Sequence, residues 1–258
     1  MDDLAAAKKI ESMARFFLPS RQIHANRGTI AGQELGHLRK VLRLKPGDRI
    51  TVFDDTGWEH EAVICSLAAA QGEIEILSSR QAQRESPLQI TLAAGLTKGE
   101  KFEFVVEKAT ELGVQTIVPF TSTYAVPKLD ERKIASRTER WRKIALSAAK
   151  QCGRTVVPEV LPLCTFQELL IRPSHEGVKL FFWEQEAAQS LDDVYKKHRD
   201  AKAVTLAIGP EGGFSSAEAE LARAQGFDSV QLGRRILRAE TAAVTALSLA
   251  QFLWGDLG

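Results

Sequence analysis

Three stretches of the chain hold the residue types and spacings that could do chemistry. The first is Ile208–Phe214, IGPEGGF, which follows the apolar run Ala203–Ile208. Three glycines in five residues, Gly209, Gly212 and Gly213, let a backbone turn sharply and approach a ligand without a Cβ in the way. Ser215 and Glu218 then have the S-x-x-E spacing of a capping box, so a helix starts there. A strand, a glycine turn and a helix in that order suit a ligand held beyond the carboxyl end of a sheet; a glycine turn without a ligand is the competing account. The second stretch is Leu232–Thr241, LGRRILRAET, in which Arg234, Arg235 and Arg238 surround Ile236 and Leu237 and Glu240 follows. Guanidinium groups so crowded suit an anion or a polyanion, although a solvated basic loop would look the same, and Glu240 could do no more than complement a helix dipole. The third is the segment 131–154, whose Arg132, Lys133, Arg137, Arg140, Arg142, Lys143, Lys150 and Arg154 form either a phosphate-facing stripe or a solvated face.

A further basic group lies earlier. His37, Arg39, Lys40, Arg43, Lys45 and Arg49 fall within thirteen residues, opposed by Asp48 alone. This is the local footprint expected of a nucleic-acid surface, and equally of an ordinary exposed helix. It has to be local, because the 258-residue chain carries a net charge of only +1.

Other chemistries find no support. The glycine spacing is not G-x-G-x-x-G and no Walker lysine follows it, which disfavours a dinucleotide or phosphate loop. No Ser/His/Asp or Cys/His arrangement is evident. His24, His60, His175 and His198 lack ligand spacing and read as structural. Cys65, Cys152 and Cys164 form no CxxC pair, so neither a disulfide framework nor a metal site is expected, and a reducing cytoplasm fits. The acidic start MDDLAAAKKIESM is no secretion signal, and the most apolar run, Ala242–Trp254, is too short for a bilayer.

The surrounding pattern must position these groups. Residues 1–12 read as an extension. From 13 to 86 the texture is β-rich, with strands expected at Arg15–Leu18, Gly28–Ala31, Asp48–Phe53, Glu59–Ile64 and Glu73–Ser79 and one helix at Gln33–Leu44. That predicts a small β-barrel. From 87 to 258 short apolar runs alternate with helices. Strands are expected at Leu88–Ala94, Val114–Phe120, Val178–Trp183, Ala203–Ile208 and Ser229–Leu232. Helices are expected at Glu100–Leu112, Glu131–Gln151, Leu191–His198, Ser215–Gln225 and Glu240–Trp254. Trp141, Ile144, Ala145, Ala148 and Cys152 make a helical stripe. Alternation of this kind predicts an α/β domain with a mainly parallel sheet.

Several motifs at matching separations resemble one family. They are Arg15-Phe16-Phe17, His37–Arg43, Lys98–Lys101 with Glu111–Val114, Gln151–Arg154, Ile208–Phe214 and Leu232–Thr241. From about Ala14 to Gly258 the chain resembles the bacterial 16S ribosomal RNA uracil-N3 methyltransferases (the RsmE family) of the SPOUT superfamily. The resemblance implies a PUA-like RNA-binding β-barrel over 13–86, then an α/β SPOUT methyltransferase domain with a trefoil knot, a rare exception to unthreaded topology. It implies S-adenosyl-L-methionine bent between three loops, here Phe182–Gln185, Ile208–Gly213 and Leu232–Leu237. Implied cofactor contacts are Phe182, Trp183, Glu184, Ile208, Gly209, Glu211, Gly213, Leu232, Gly233, Ile236 and Leu237. For such a reaction Arg238 is the expected stabiliser of a uridine anion, with Arg154 or Arg235 on phosphate and Glu240 or Glu211 as the candidate base, a choice the resemblance does not settle; Arg15, His37, Arg39, Lys40, Arg43 and Arg235 are expected in RNA binding. A homodimer and a 16S ribosomal RNA target within the small subunit are also implied, with no metal and no membrane.

The chain departs from the family pattern in three places. Arg234 stands where a proline is usual, Ala239 where a threonine is usual, and Tyr124 where an arginine is common. One rigid turn and one hydroxyl are thereby lost. An NAD-dependent oxidoreductase and a non-catalytic RNA-binding factor are the alternatives from other classes. The missing dinucleotide fingerprint weighs against the first and the arginine-rich loop against the second.

Overall fold

The computed structural model describes residues 14–124, 130–172, 177–183 and 189–258. The chain divides into two compact units. One holds the described residues up to Glu85 together with Ala149–Val157, and the other holds Ser86–Ala148 and Pro158–Gly258.

In the first unit the strands are β1 (Arg15–Phe17), β2 (Ile23–His24), β3 (Arg27–Ala31), β4 (Arg49–Phe53), β5 (Trp58–Leu67) and β6 (Gln71–Gln81). They form one sheet in the order β1-β4-β5-β6-β3-β2, antiparallel except for the β1–β4 pair. Register shifts after Glu61 and Ile64 bend the long β5–β6 ribbon, as bulges do. The sheet curls around Phe16, Leu18, Ile30, Ile50, Val52, Ile64 and Ile74, with Leu35 and Leu38 closing the core from the connection. No ladder joins β1 to β2 among the described residues, so the curl stays open.

The expected helix Gln33–Leu44 is a correction. A short α-helix, Gly32–Gly36, passes into a π-helical turn, His37–Val41. The Leu42 amide donates to the His37 carbonyl at 3.1 Å, and Arg43 adopts a left-handed φ of 56°, which ends the helix.

Two arginines of the expected site are engaged within this unit. Arg15, expected to meet RNA, reaches inward. It pairs with the buried Glu59 and donates to the carbonyls of Gly153 (3.2 Å) and Arg154 (3.1 Å). Burial, with nearby Arg84 adding repulsion, lowers its pKa to about 10, which leaves it charged at neutral pH. Arg154, expected in catalysis, is 3% exposed and ion-pairs with Glu85 at 2.7 Å. Glu85 also accepts from the amides of Thr155 (3.0 Å) and Val156 (3.2 Å). A desolvated guanidinium needs such partners, and these two groups are committed to tying residues 149–157 into the unit.

In the second unit the strands are β7 (Gln89–Gly95), β8 (Thr116–Thr121), β9 (Glu159–Val160), β10 (Cys164–Thr165), β11 (Val178–Phe182), β12 (Ala203–Ile208) and β13 (Asp228–Val230). Their order is β10-β8-β7-β12-β11-β13, with β9 also beside β8, and every pair is parallel. β12 is buried along its whole length, as a central parallel strand must be. The chain order reverses around β7, which places a switch point at the carboxyl ends of β7 and β12. Helix Phe166–Ile171 packs on helix Ser216–Ala224 and β8, through a cluster of Phe120, Phe166, Phe181 and Phe214. Helix Ala239–Trp254 packs on helix Lys101–Glu111, β12 and β7. The chain therefore leaves β13 at the sheet edge, beyond β11, and comes back past β11.

Most α/β elements lie within one to three residues of expectation. Sequence reading missed β2, β9, β10 and helix Phe166–Ile171, although Thr165 and Glu168 form a capping box there. Among the described residues no helix is long and apolar enough to cross a membrane.

Replacing Glu85 by Ala removes the buried ion pair to Arg154 and the acceptor of the Thr155 and Val156 amides. The expected loss is about 3 kcal/mol of unfolding free energy in urea melts; a loss under about 1 kcal/mol, the scale of a surface pair, would contradict the role given to this pair.

Candidate functional site

The IGPEGGF turn is held from below. A Cβ on Gly95, the last residue of β7, would come within 2.4 Å of the Pro210 nitrogen, so the turn rests directly on the β7 backbone. Phe214 anchors its far end, 4.2 Å between ring centroids from Phe181 and 5.1 Å from Phe166. A Cβ on Gly209 would press on that Phe214 ring at 3.0 Å, and Gly213 takes a φ of 67° that favours glycine. Ser215 caps the next helix, with Glu218 completing the box and also accepting from the Thr123 amide at 2.8 Å. The turn thus has little freedom, and its backbone is presented at the switch point.

Two adjoining cavities open there. One, of about 430 Å³, is walled by Phe182, Trp183 and the segment Val230–Leu237. The other, of about 520 Å³, is walled by Ile208–Glu211, Gly213, Phe214, Lys101 and Ile236–Ala239. They share Phe182, Ile236, Leu237 and Ala242. The structure therefore brings together Phe182, Trp183, Leu232, Gly233, Ile236 and Leu237 around the first cavity, and Ile208, Gly209, Glu211, Gly213 and Arg238 around the second. Arg234 and Arg235 line the first and are exposed. Glu184 and Gln185 lie outside the described residues. A third cavity of about 530 Å³, lined by Thr91, Thr205, Lys179 and Arg172 among others, gathers none of these segments.

The electrostatics separate the two acids. Glu211 accepts from Lys101 Nζ at 3.1 Å and from the Lys98 amide at 3.3 Å. Burial disfavours its charge, but the Lys101 bond and the backbone amides outweigh it and hold the carboxyl below the usual range. Glu211 is thus an ionised, occupied acceptor and a poor proton acceptor. Glu240, in the first turn of the last helix, buries Oε2 with no hydrogen-bond partner among the described residues. Arg238 is the N-cap of that helix and makes no side-chain cap. The helix dipole is thus open beside a guanidinium. The Trp183 indole N–H is likewise buried without an acceptor, and Arg223 lies over its ring at 5.7 Å.

The remaining expected residues belong to the first unit. His37 is half-buried against Phe16, at 6.0 Å between centroids. Arg39, Lys40 and Arg43 are exposed, with Arg39 donating to the Ala68 carbonyl at 2.9 Å. Sequence reasoning did not single out Gly95, Pro210 or Lys101 for the site. A glycine ending a buried strand was the available signal for the first.

The site suits the implied cofactor, S-adenosylmethionine. Two joined cavities with apolar walls, glycine backbone and an orphaned buried N–H match what a nucleoside-bearing ligand of this size needs.

Comparison with known proteins agrees. Residues 84–251 match the model of an RNA methyltransferase domain and residues 30–67 that of an RNA methyltransferase PUA domain. The ribosomal RNA small subunit methyltransferase E of Bacillus subtilis is 33% identical over 247 residues, covering 93% of this chain and 96% of that protein. The crystal structure of the Neisseria gonorrhoeae ribosomal RNA small subunit methyltransferase E, bound to S-adenosyl methionine, superposes with a TM-score of 0.86 at 36% identity. It covers 95% of this chain and 100% of that one. A Legionella pneumophila structure holding SAM gives 0.87 at 34% identity, over 95% and 99%.

The fold and the site define an RNA methyltransferase built from a PUA-like unit and a SPOUT-type α/β domain. Within that class, the chain belongs to the ribosomal RNA small subunit methyltransferase E family.

Gly95→Ala tests the seat of the turn. It should shift Pro210 and weaken S-adenosylhomocysteine binding roughly tenfold by calorimetry, at a stability cost of about 1–3 kcal/mol; unchanged affinity would mean the turn does not shape the pocket.

Proposed function

We propose that the chain transfers a methyl group from S-adenosylmethionine to N3 of one uridine of 16S ribosomal RNA. The observation that carries this reading is the joined pair of cavities between the Gly209–Gly213 turn and the Leu232–Arg238 loop. Phe182, Trp183, Ile208, Gly209, Gly213, Leu232, Gly233, Ile236 and Leu237 are the residues that would hold the cofactor there. When bound, it supplies an electrophilic methyl on a sulfonium.

The protein's own tasks are three. It must hold the target base behind that methyl, since alignment supplies much of the rate. N3 lies on the pairing edge, so the base must be unpaired or extruded from a stack. The N3 proton must also leave. Arg238, at the open N-terminus of the last helix, favours the uridine anion by stabilising charge on its carbonyl oxygens. Glu240 is the acid placed to take that proton, because its Oε2 has no hydrogen-bond partner among the described residues while Glu211 is held by Lys101. Arg235 contacts phosphate. Arg154 and Arg15 are spent inside the first unit and take no part in this chemistry.

The enzyme acts as a homodimer in the cytoplasm, on RNA within the small subunit. Exposed Phe104 and Phe252, on the two helices that pack together, support the dimer.

Tritium transfer to undermethylated small subunits, with the product nucleoside identified, tests the reading; methylation at another uridine atom or at cytidine overturns it. In single turnover, Arg238→Ala should slow transfer by about 10²–10³-fold, the scale of one lost oxyanion donor, with S-adenosylhomocysteine affinity unchanged. Turnover at the wild-type rate rules out Arg238 in this role. Trp183→Phe removes one donor and should weaken cofactor binding by about three- to tenfold; equal affinity means the indole serves packing alone.

A further inference from the structure

The connection after β3 does something its sequence pattern does not call for. Leu35, Leu38, Val41 and Leu42 recur at the spacing of one apolar helix face. In a continuous α-helix, Val41 and Leu42 would lie on the Leu38 side and join the core. The structure turns them out instead. The π-helical turn His37–Val41 adds a residue to the turn, and the left-handed Arg43 reverses the chain. Leu44 then returns to the core, its amide bonded to the Leu38 carbonyl at 3.1 Å. Leu35 and Leu38 stay buried at 4% and 0% exposure, whereas Val41 is 64% and Leu42 40% exposed. Two aliphatic side chains are thus held at a tip, on backbone that is uncommon outside functional sites.

The charge around the tip is predominantly positive. Lys40, Arg43 and Lys45 are exposed beside it. The nearby acids are engaged: the Asp48 carboxylate accepts from the Lys45 amide at 2.7 Å, and Glu34 is paired with Lys150 at 2.9 Å. Arg49 is itself held by Glu61. Lys40, Arg43 and Lys45, with no ion pair among the described residues, surround an apolar tip and complement a polyanion carrying apolar faces. Nucleic acid has both, phosphate for the cations and base faces for the aliphatics. Proteins that distort nucleic acid insert such aliphatic wedges between bases.

We propose that Val41 and Leu42 form an apolar wedge that packs against unstacked bases of the RNA substrate, with Lys40, Arg43 and Lys45 gripping the flanking phosphates. This rests on the reading that RNA is the target, and it assigns recognition to two residues that carry no charge. The wedge and the cations have separate signatures. Base contacts contribute affinity without releasing counterions, whereas each phosphate contact adds to the salt dependence.

The test is binding of an undermethylated small subunit, and of the protein-free 16S RNA, across a salt series. The variants are Val41→Ser/Leu42→Ser, Lys40→Gln/Arg43→Gln and the conservative Val41→Ile/Leu42→Met. The serine pair should bind about tenfold more weakly with an unchanged slope of log affinity against log salt. The glutamine pair should flatten that slope by about 2, and the conservative pair should bind like wild type. S-adenosylhomocysteine affinity and the thermal midpoint of the serine pair should not move, since both side chains are exposed. Full RNA affinity in the serine pair overturns the wedge. So does a change in its oligomeric state by light scattering without a change in RNA affinity, which would make the tip a protein contact. If wild type binds RNA but transfers no methyl group, the reaction assigned above fails while this binding test still stands.

Discussion

The site depends on one close approach. Pro210 sits on Gly95 so tightly that no Cβ fits between them. β7 and β12 are paired along six residues, Ala203 to Ile208 against Gln89 to Ala94. The strand that ends at Gly95 therefore fixes where the next strand's turn must go. Phe214 then pins the turn's exit in the aromatic cluster, and the Ser215–Glu218 box starts the helix that follows. Each constraint removes a freedom that ligand binding would otherwise have to remove. The result is a glycine backbone presented at the switch point before any ligand arrives.

The second wall comes from topology. β13 lies at the sheet edge, yet the helix that follows it packs near the sheet centre. The connecting segment 231–238 must therefore cross in front of Phe182. That crossing brings Ile236 and Leu237 between the two cavities and delivers Arg238 to an open helix N-terminus. This path runs through Arg234 and Ala239, where the resemblance led to a proline and a threonine being expected. Its course is set by where β13 and the last helix are packed, more than by one rigid turn.

The arginines show how little residue type says about role. Arg15, Arg154 and Arg238 are chemically identical. Arg15 and Arg154 are largely desolvated; Arg15 is compensated by Glu59 and two backbone carbonyls, and Arg154 by Glu85. Arg238 stays exposed at a cavity wall. A buried guanidinium must be matched within the protein, so only the exposed one is left for a ligand.

What the sequence determined by itself was the alternation of strands and helices, and the glycine turn and arginine-rich loop that come to line the two cavities. Apolar periodicity, glycine spacing and helix caps are local, and local physics reads them correctly. The short strands β9 and β10 were not legible, because two residues carry no period. The helix expected at Gln33–Leu44 followed the right pattern to the wrong structure, since its register is decided by what the core accepts beyond Leu38. The tertiary structure alone decided which arginines face solvent, which acid lacks a partner, and that Gly95 seats Pro210. Those outcomes depend on groups 44 to 139 residues apart in the chain meeting one another, and no local pattern carries that information.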